Sequence, residues 1–395
     1  MIFQSPTLTQ ADQDVLALIR EQRGHLQYQV AQTPNRWTGF LRRNAFARTM
    51  QGSNSIEGYN ASLADAVEIV DNNKPETMEE ETASALFGYR TAVTYILQIH
   101  SDPHFELNAQ VIKSLHYMML SYDLTKLPGK WRPGSVFIIN EPSGKTVYEG
   151  PEADLVPSLI RELMEQIETP DGHGQDPIVK AAMAHLNLTM IHPFKDGNGR
   201  MARALQTLVL ARDGGILSPV FCSIEEWLGR NTQAYYDILA AVGCGHWHPE
   251  NDALPWVRFC LVAHYQQAAT LIKRNNEIGS VWLEISDIVK KAGMPERCEP
   301  ALVDAAFNFR VRNSRYREEQ QISDVVASRD LKKLCDLGLL VPVGEKRGRY
   351  YLASPQLKKI REAHRDPRKA PDPYAIVAEQ PPRMSSAQLD LPGVV

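Results

Sequence analysis

From about Asp12 to His264 the apolar residues of this chain recur at three- and four-residue spacing almost without a break. Examples are Val111, Leu115, Met118 and Met119, and Leu155, Leu159, Leu163 and Ile167. Side chains at that spacing line one face of a helix, and a helix with one apolar face must bury it against another element. The expected fold class is therefore mainly α, a helical bundle. One run departs from the period: Ser135-Val136-Phe137-Ile138-Ile139-Asn140 is β-type, Pro142-Ser143-Gly144 reads as a turn, and Thr146-Val147-Tyr148 returns. It predicts a single hairpin.

Past Val281 short helices follow, then a longer one from Ile322 to Leu337, the run Gly338-Leu339-Leu340-Val341-Pro342-Val343, a turn from Gly344 to Gly348 and Arg349-Tyr350-Tyr351-Leu352. Helix then hairpin is an order that resembles a winged helix-turn-helix, with Ser323 capping a recognition helix over 323–334 and Lys346, Arg347 and Arg349 on the wing. Residues 310–349 carry ten Lys/Arg against six Asp/Glu in a chain of net charge −4, a local basic surplus that makes DNA a candidate partner. Six prolines (Pro367, Pro371, Pro373, Pro381, Pro382, Pro392) and few periodic apolar positions predict a mobile tail over 366–395. The expected domains are an N-terminal helical region over 1–105, a core over 106–270, the winged-helix module over 281–355 and that tail.

With 395 residues, 43% of them hydrophobic, a large core is attainable. No apolar run approaches the roughly 20 residues of a membrane span, and the start Met1-Ile2-Phe3-Gln4-Ser5 has neither a basic nor an apolar leader segment, so the expected location is cytoplasmic with no membrane partner. Five scattered cysteines without C-x-x-C spacing argue against a disulfide frame or a zinc site.

The densest chemistry lies in His192-Pro193-Phe194-Lys195-Asp196-Gly197-Asn198-Gly199-Arg200, followed by Arg203. Gly197, Asn198 and Gly199 let the backbone approach an anion, and the helix they open aims unpaired N–H groups at it. Arg200 and Arg203 share a face of that helix. Asp196 stands where one carboxylate together with phosphate oxygens can hold Mg²⁺, and His192 titrates near neutrality and can take a proton. Nucleotide chemistry is the expectation.

These residues match H-x-F-x-[DE]-G-N-G-R-x-x-R position for position, and over about residues 40–265 the chain resembles the Fic family of nucleotidyltransferases, most of which are protein adenylyltransferases. The resemblance implies a Fic-type bundle, ATP as substrate with Mg²⁺ or Mn²⁺, His192 as base, Asp196 on the metal, and Gly197, Asn198, Gly199, Arg200 and Arg203 around the phosphates. It makes the hairpin a flap whose Val136, Phe137, Ile138 and Ile139 dock the target protein by strand addition. Asn231-Thr232-Gln233-Ala234-Tyr235-Tyr236 resembles the family's N-x-x-x-Y-Y segment, which places Asn231 and Tyr235 at the adenine. Ser53-Asn54-Ser55-Ile56-Glu57-Gly58 fits the [ST]-x-x-x-E-[GN] pattern of the family's inhibitory helix, in which Glu57 would grip Arg203 and occupy the place of the γ-phosphate.

The function so implied is an auto-inhibited protein adenylyltransferase moving AMP from ATP to a Ser, Thr or Tyr hydroxyl of a protein target. Two alternatives stay open: removal of AMP on the same fold, with Glu57 positioning water, and a DNA-binding regulator whose core senses nucleotide. A sensor needs no base, so an intact His192 favours catalysis. A second copy of the chain is a further candidate partner.

Overall fold

The computed structural model describes residues 1–76, 78–140, 145–169, 175–213, 221–345 and 348–379. In chain order the helices are α1 (Gln10–Gln32), α2 (Asn35–Ile56), α3 (Leu63–Val70), α4 (Glu80–Ile99) and α5 (Ala109–Leu120), followed by the hairpin β1 (Phe137–Asn140) and β2 (Lys145–Glu149). Next come α6 (Val156–Glu168), α7 (Pro177–Ile191), α8 (Asn198–Asp213), α9 (Glu225–Arg230), α10 (Thr232–Gly243) and α11 (Leu254–Lys291). The C-terminal part holds α12 (Glu299–Ala306), α13 (Asn313–Gln320), α14 (Asp324–Asp336), the hairpin β3 (Leu340–Val343) and β4 (Tyr350–Ala353), α15 (Pro355–His364) and α16 (Pro373–Glu379).

The bundle is built around α7. Pro177 starts it behind the Asp176 cap, whose carboxylate accepts the Ile178 N–H at 2.8 Å, and every residue from Ile178 to Ile191 is buried. Helix α8 packs along it, so the loop between them is held at both ends by the densest part of the core.

Helix α2 links the two ends of the molecule. At its start Trp37 stacks on Trp282 of α11 at 5.0 Å, and Phe40 lies between Phe307 and Phe309. At its end the chain leaves by a Schellman turn: Gly58 takes φ +86°, its N–H donates to Ser55 O, and the Tyr59 N–H donates to Asn54 O at 3.1 Å. Glycine is needed there for the left-handed step, and the turn aims Glu57 and Tyr59 at the α7–α8 loop. Between its ends α2 crosses α9 at glycine distance. A Cβ on Gly52 would lie 2.4 Å from Glu225 O, and one on Gly229 would lie 2.8 Å from Gly52 Cα. Gly52→Ala is therefore expected to cost about 1–3 kcal/mol by overpacking against backbone, read as a lowered melting temperature; an unchanged melt would show that the crossing tolerates a methyl group.

The expected domain boundary falls between 270 and 281. Helix α11 runs through it without a break, burying Leu271 and Ile278 on one side of the boundary and Val281, Trp282 and Ile285 on the other. Beyond it come the expected helix, turn, helix and hairpin, with Val311 bridging Tyr351 beside β4. Much of the basic surplus here is spent inside the molecule: Arg310 pairs with Asp65 and Glu68, Arg312 with Glu68, and Arg315 with Asp71, all on or just after α3. Exposed on α14 are Arg329, Lys332 and Lys333 against Asp324 and Asp336. Lys346 and Arg347 lie outside the described residues.

Part of the segment expected as a mobile tail is docked. Helix α16 packs on α1, where the Tyr374 hydroxyl donates to Asp12 at 2.8 Å under the Arg258 guanidinium; residues 380–395 lie outside the described residues. Among the described residues no helix is long and apolar enough to cross a membrane.

Candidate active site

Helix α7 ends at His192 in the left-handed conformation, φ 51° and ψ 58°, a place where glycine is usual. The ring is oriented by its Nδ1, which lies 3.2 Å from Thr189 O. A carbonyl can only accept, so Nδ1 carries the proton and Nε2 presents its lone pair. The packed surroundings push the imidazole down to about 4, so it is neutral at pH 7.

The loop that follows is held by its own side chains. Asn198 Oδ1 accepts the Phe194 N–H and Asn198 Nδ2 donates to Phe194 O, both at 2.9 Å, while the buried Phe194 ring stacks on His116 at 3.6 Å. His116 Nδ1 accepts the Gly129 N–H and its Nε2 donates to Asp196 O, each at 2.9 Å. Burial lowers this imidazole as well, to about 4, in keeping with a neutral ring that bonds at both nitrogens. Gly197 turns at φ +76° with Leu120 so near that a Cβ would lie 2.7 Å from Cδ1. Asp196 Oδ1 accepts the Gly197 N–H at 2.6 Å, and Oδ2 faces Lys126 Nζ at 3.1 Å. Burial works against its charge, but Arg200 and Lys126 outweigh it and hold the carboxyl below the usual range.

Two arginines close the other side. Arg200 is buried, with its guanidinium 5.1 Å from the Tyr59 ring centroid, and its Nε and Nη1 make no hydrogen bond. Buried donors of this kind are rare and costly unless an anion takes them. Arg203, 1% exposed, donates Nε to Ser53 Oγ at 2.8 Å, and Nη2 to Ser53 O at 2.9 Å and Glu57 Oε1 at 2.6 Å; its Nη1 is unpaired. Burial disfavours the cation, yet Glu57 more than offsets it. Gly199 leaves the room for this pair, since a Cβ there would lie 2.4 Å from Glu57 Oε1. Among the described residues no three His, Cys, Asp or Glu side chains converge on one point. A cation at Asp196 would thus have one carboxylate and take its other oxygens from phosphate and water.

The hairpin stands beside this loop. Its register pairs Phe137 with Glu149 and Ile138 with Tyr148, and slips by a bulge before Ile139 pairs with Thr146. Tyr148 ties it to α7 by donating to Met190 O at 2.9 Å. The Phe137 ring is 50% exposed, Val136 and Ile138 are half-buried, and among the described residues β1 pairs with β2 alone. The Ile139 side chain and the 142–144 turn lie outside the described residues.

Residues 106–210, which contain the hairpin and the whole 192–203 loop, match the model of the Fic/DOC family. That segment is similar to the Fic/DOC family. The chain is similar to protein adenylyltransferase fic-1 of Caenorhabditis briggsae, 26% identical over 273 residues, 67% of this chain and 48% of that one. It is also similar to protein adenylyltransferase Fic of Aedes aegypti, 27% identical over 220 residues, 55% of this chain and 40% of that one. The chain spans about half the length or less of these curated relatives. Among solved structures, a Fic family protein from Desulfovibrio desulfuricans G20 superposes with TM-score 0.57 at 20% identity, covering 89% of this chain and 99% of that one. Fic-1 (residues 134–508) from C. elegans gives 0.54 at 20% identity, covering 67% and 72%. These two show a shared fold, and the first extends well past the 106–210 match.

Within the 106–210 segment the motif residues meet at one place, and Glu57 joins Arg203 from 146 positions away. The segment expected at the adenine spans the Asn231 N-cap position and the first turn of α10. Tyr235 is 1% exposed and its hydroxyl lies 3.0 Å from His185 Nε2, so its ring belongs to the core. Tyr236 is 46% exposed and donates to Ile56 O at 2.9 Å, pinning the last turn of α2. Asn231 occupies the N-cap position of α10 without a side-chain capping bond and donates its amide to Trp227 O at 2.8 Å.

His116, Lys126 and Arg132 also stand at this site, outside every sequence motif. Arg132, buried, donates Nε to His192 O at 2.9 Å and also reaches the carbonyls of Gly134 and Pro151, while its N–H donates to Pro193 O at 2.9 Å. It fastens the base of the hairpin to the loop between α7 and α8. The one available signal was Gly129-Lys130-Trp131-Arg132 directly before the β-type run, a turn and a cation at the base of a hairpin.

Proposed function

We propose that the chain is an auto-inhibited protein adenylyltransferase that moves AMP from ATP to a Ser, Thr or Tyr hydroxyl of a protein target. The observation that carries this reading is the buried Arg200 with Nε and Nη1 unpaired, beside a neutral imidazole whose Nε2 is free and a carboxylate held ionised. That set is suited to a polyphosphate, an attacking hydroxyl and a cation. His192 Nε2 takes the hydroxyl proton as the oxygen attacks the α-phosphorus, and Arg200 stabilises the charge that gathers on departing pyrophosphate. Asp196 would hold Mg²⁺ or Mn²⁺, which when bound neutralises phosphate charge. The open edge of β1 receives the target as an added strand and fixes the hydroxyl in line. With Glu57 on Arg203, the γ-phosphate lacks its cation and ATP is held unproductively. The names of the fic-1 and Fic relatives support the same chemistry.

Intact-mass spectrometry of the Glu57→Gly variant after incubation with ATP and Mg²⁺ is expected to show whole additions of AMP. A mass that stays unchanged at any metal and ATP concentration would contradict transfer. For the exposed cations of α14 the corresponding proposal is a weak DNA contact, read as a mobility shift that weakens as salt rises; no shift at low salt makes this face a protein contact.

A further inference from the structure

The site holds a third cation that stands outside the motif. Lys126 lies in the turn Leu124–Lys126 after α5, and its ammonium is 3.1 Å from Asp196 Oδ2, 3.1 Å from the Tyr59 hydroxyl and 3.4 Å from Glu81 Oε1. The Tyr59 and Tyr122 rings flank it at 5.8 and 5.5 Å, leaving its side chain 17% exposed. Asp196 has already given Oδ1 to the Gly197 N–H, so Oδ2 is the oxygen left for a cation, and Lys126 takes it. A divalent ion needs that lone pair at about 2.0–2.2 Å, and an ammonium against the same oxygen blocks the approach and repels the charge.

We propose that Lys126 is a tethered counter-ion that competes with the divalent cation at Asp196, and that Tyr59 holds it in place. The inference rests on the reading of Asp196 as the metal carboxylate. Tyr59 follows Glu57-Gly58 directly, so the end of α2 acts on both sides of the phosphate site: Glu57 covers Arg203, and Tyr59 covers Arg200 and keeps Lys126 on Asp196. Metal entry requires Lys126 to leave Asp196, and the Tyr59 hydroxyl resists that departure. Metal affinity and the closed position of the inhibitory turn are thereby linked, and linkage is reciprocal.

The test is titration of the full chain with Mn²⁺ alone, without nucleotide, counting bound ion by loss of the free-ion paramagnetic resonance signal. Lys126→Met should tighten Mn²⁺ binding by about tenfold or more, whereas Lys126→Arg, which keeps the charge, should stay near wild type. Tyr59→Phe should shift binding in the same direction as Lys126→Met by a smaller factor, and Asp196→Asn should abolish the site in wild-type and Lys126→Met backgrounds. Melting temperatures of the variants report their folding. If Lys126→Met binds no more tightly than wild type while Asp196→Asn still abolishes binding, the competition is overturned and the metal reading of Asp196 stands. If Tyr59→Phe matches wild type, the tyrosine has no part in it. Binding indifferent to Asp196→Asn in both backgrounds overturns the metal reading and this proposal together.

Discussion

Replacing Glu57 by glycine is expected to raise self-labelling from ATP by on the order of ten- to a hundredfold, the range that realigning one reacting group produces. On the proposed function the wild-type site lacks a free Arg203 guanidinium, because Glu57 holds it at 2.6 Å. Losing a partner from a buried pair can cost roughly 3–5 kcal/mol, but Arg203 keeps both bonds to Ser53 and the opened side faces the space meant for the nucleotide, so the fold should survive. Arg203 should then become essential. Arg203→Ala should remove most of the activity gained by Glu57→Gly and change the silent wild type little, a coupling expected when each effect runs through the other. Equal labelling by wild type and Glu57→Gly would reduce Glu57 to an ordinary helix-end carboxylate. A Glu57→Gly variant that labels no better, set beside a wild type that strips AMP from a modified protein, would turn the assignment towards removal.

His192→Ala in the Glu57→Gly background is expected to lower transfer by on the order of 10²–10⁴, the contribution of a positioned base, with ATP affinity nearly unchanged. The ring makes no bond to Arg200 or Arg203, so the phosphate donors stay where they are. The depressed basicity adds a sign. A group that acts as base works above its pKa, and burial places this one at about 4. The kcat/KM profile of Glu57→Gly should therefore hold level from pH 8 down to about 5.5 and not fall through the ordinary imidazole range. A fall centred near 6.5 would mean that the ring is solvated and ordinary.

What could be read along the chain was whatever local spacing encodes. The helical bundle, the hairpin at 135–148 and the loop from His192 to Arg203 lie in continuous stretches whose period or residue order states their chemistry. The Glu57 to Arg203 pair was implied only by the resemblance of Ser53-Asn54-Ser55-Ile56-Glu57-Gly58 to the family's inhibitory pattern. His116, Lys126 and Arg132 were not legible, since each acts through one contact made by chain folding and leaves no spacing behind. Nothing local placed the interval between 270 and 281 inside a helix, yet Leu271, Ile278, Trp282 and Ile285 keep helical phase straight through it. The adjacent tyrosines on α10 illustrate a further limit. Neighbours on a helix point roughly 100° apart, so one of Tyr235 and Tyr236 had to face the core, and only the packing of α10 on α7 and α11 decides which.

On the proposed function, the cradle transfers the adenylyl group and α2 restrains it. The most direct measurement gives Glu57→Gly two parallel supplies of ATP with Mg²⁺, one labelled at the α-phosphate and one at the γ-phosphate, and counts label on protein. Label from the α position, none from the γ position, and little of either in wild type is the predicted result. Label from the γ position, or none from either, would contradict it.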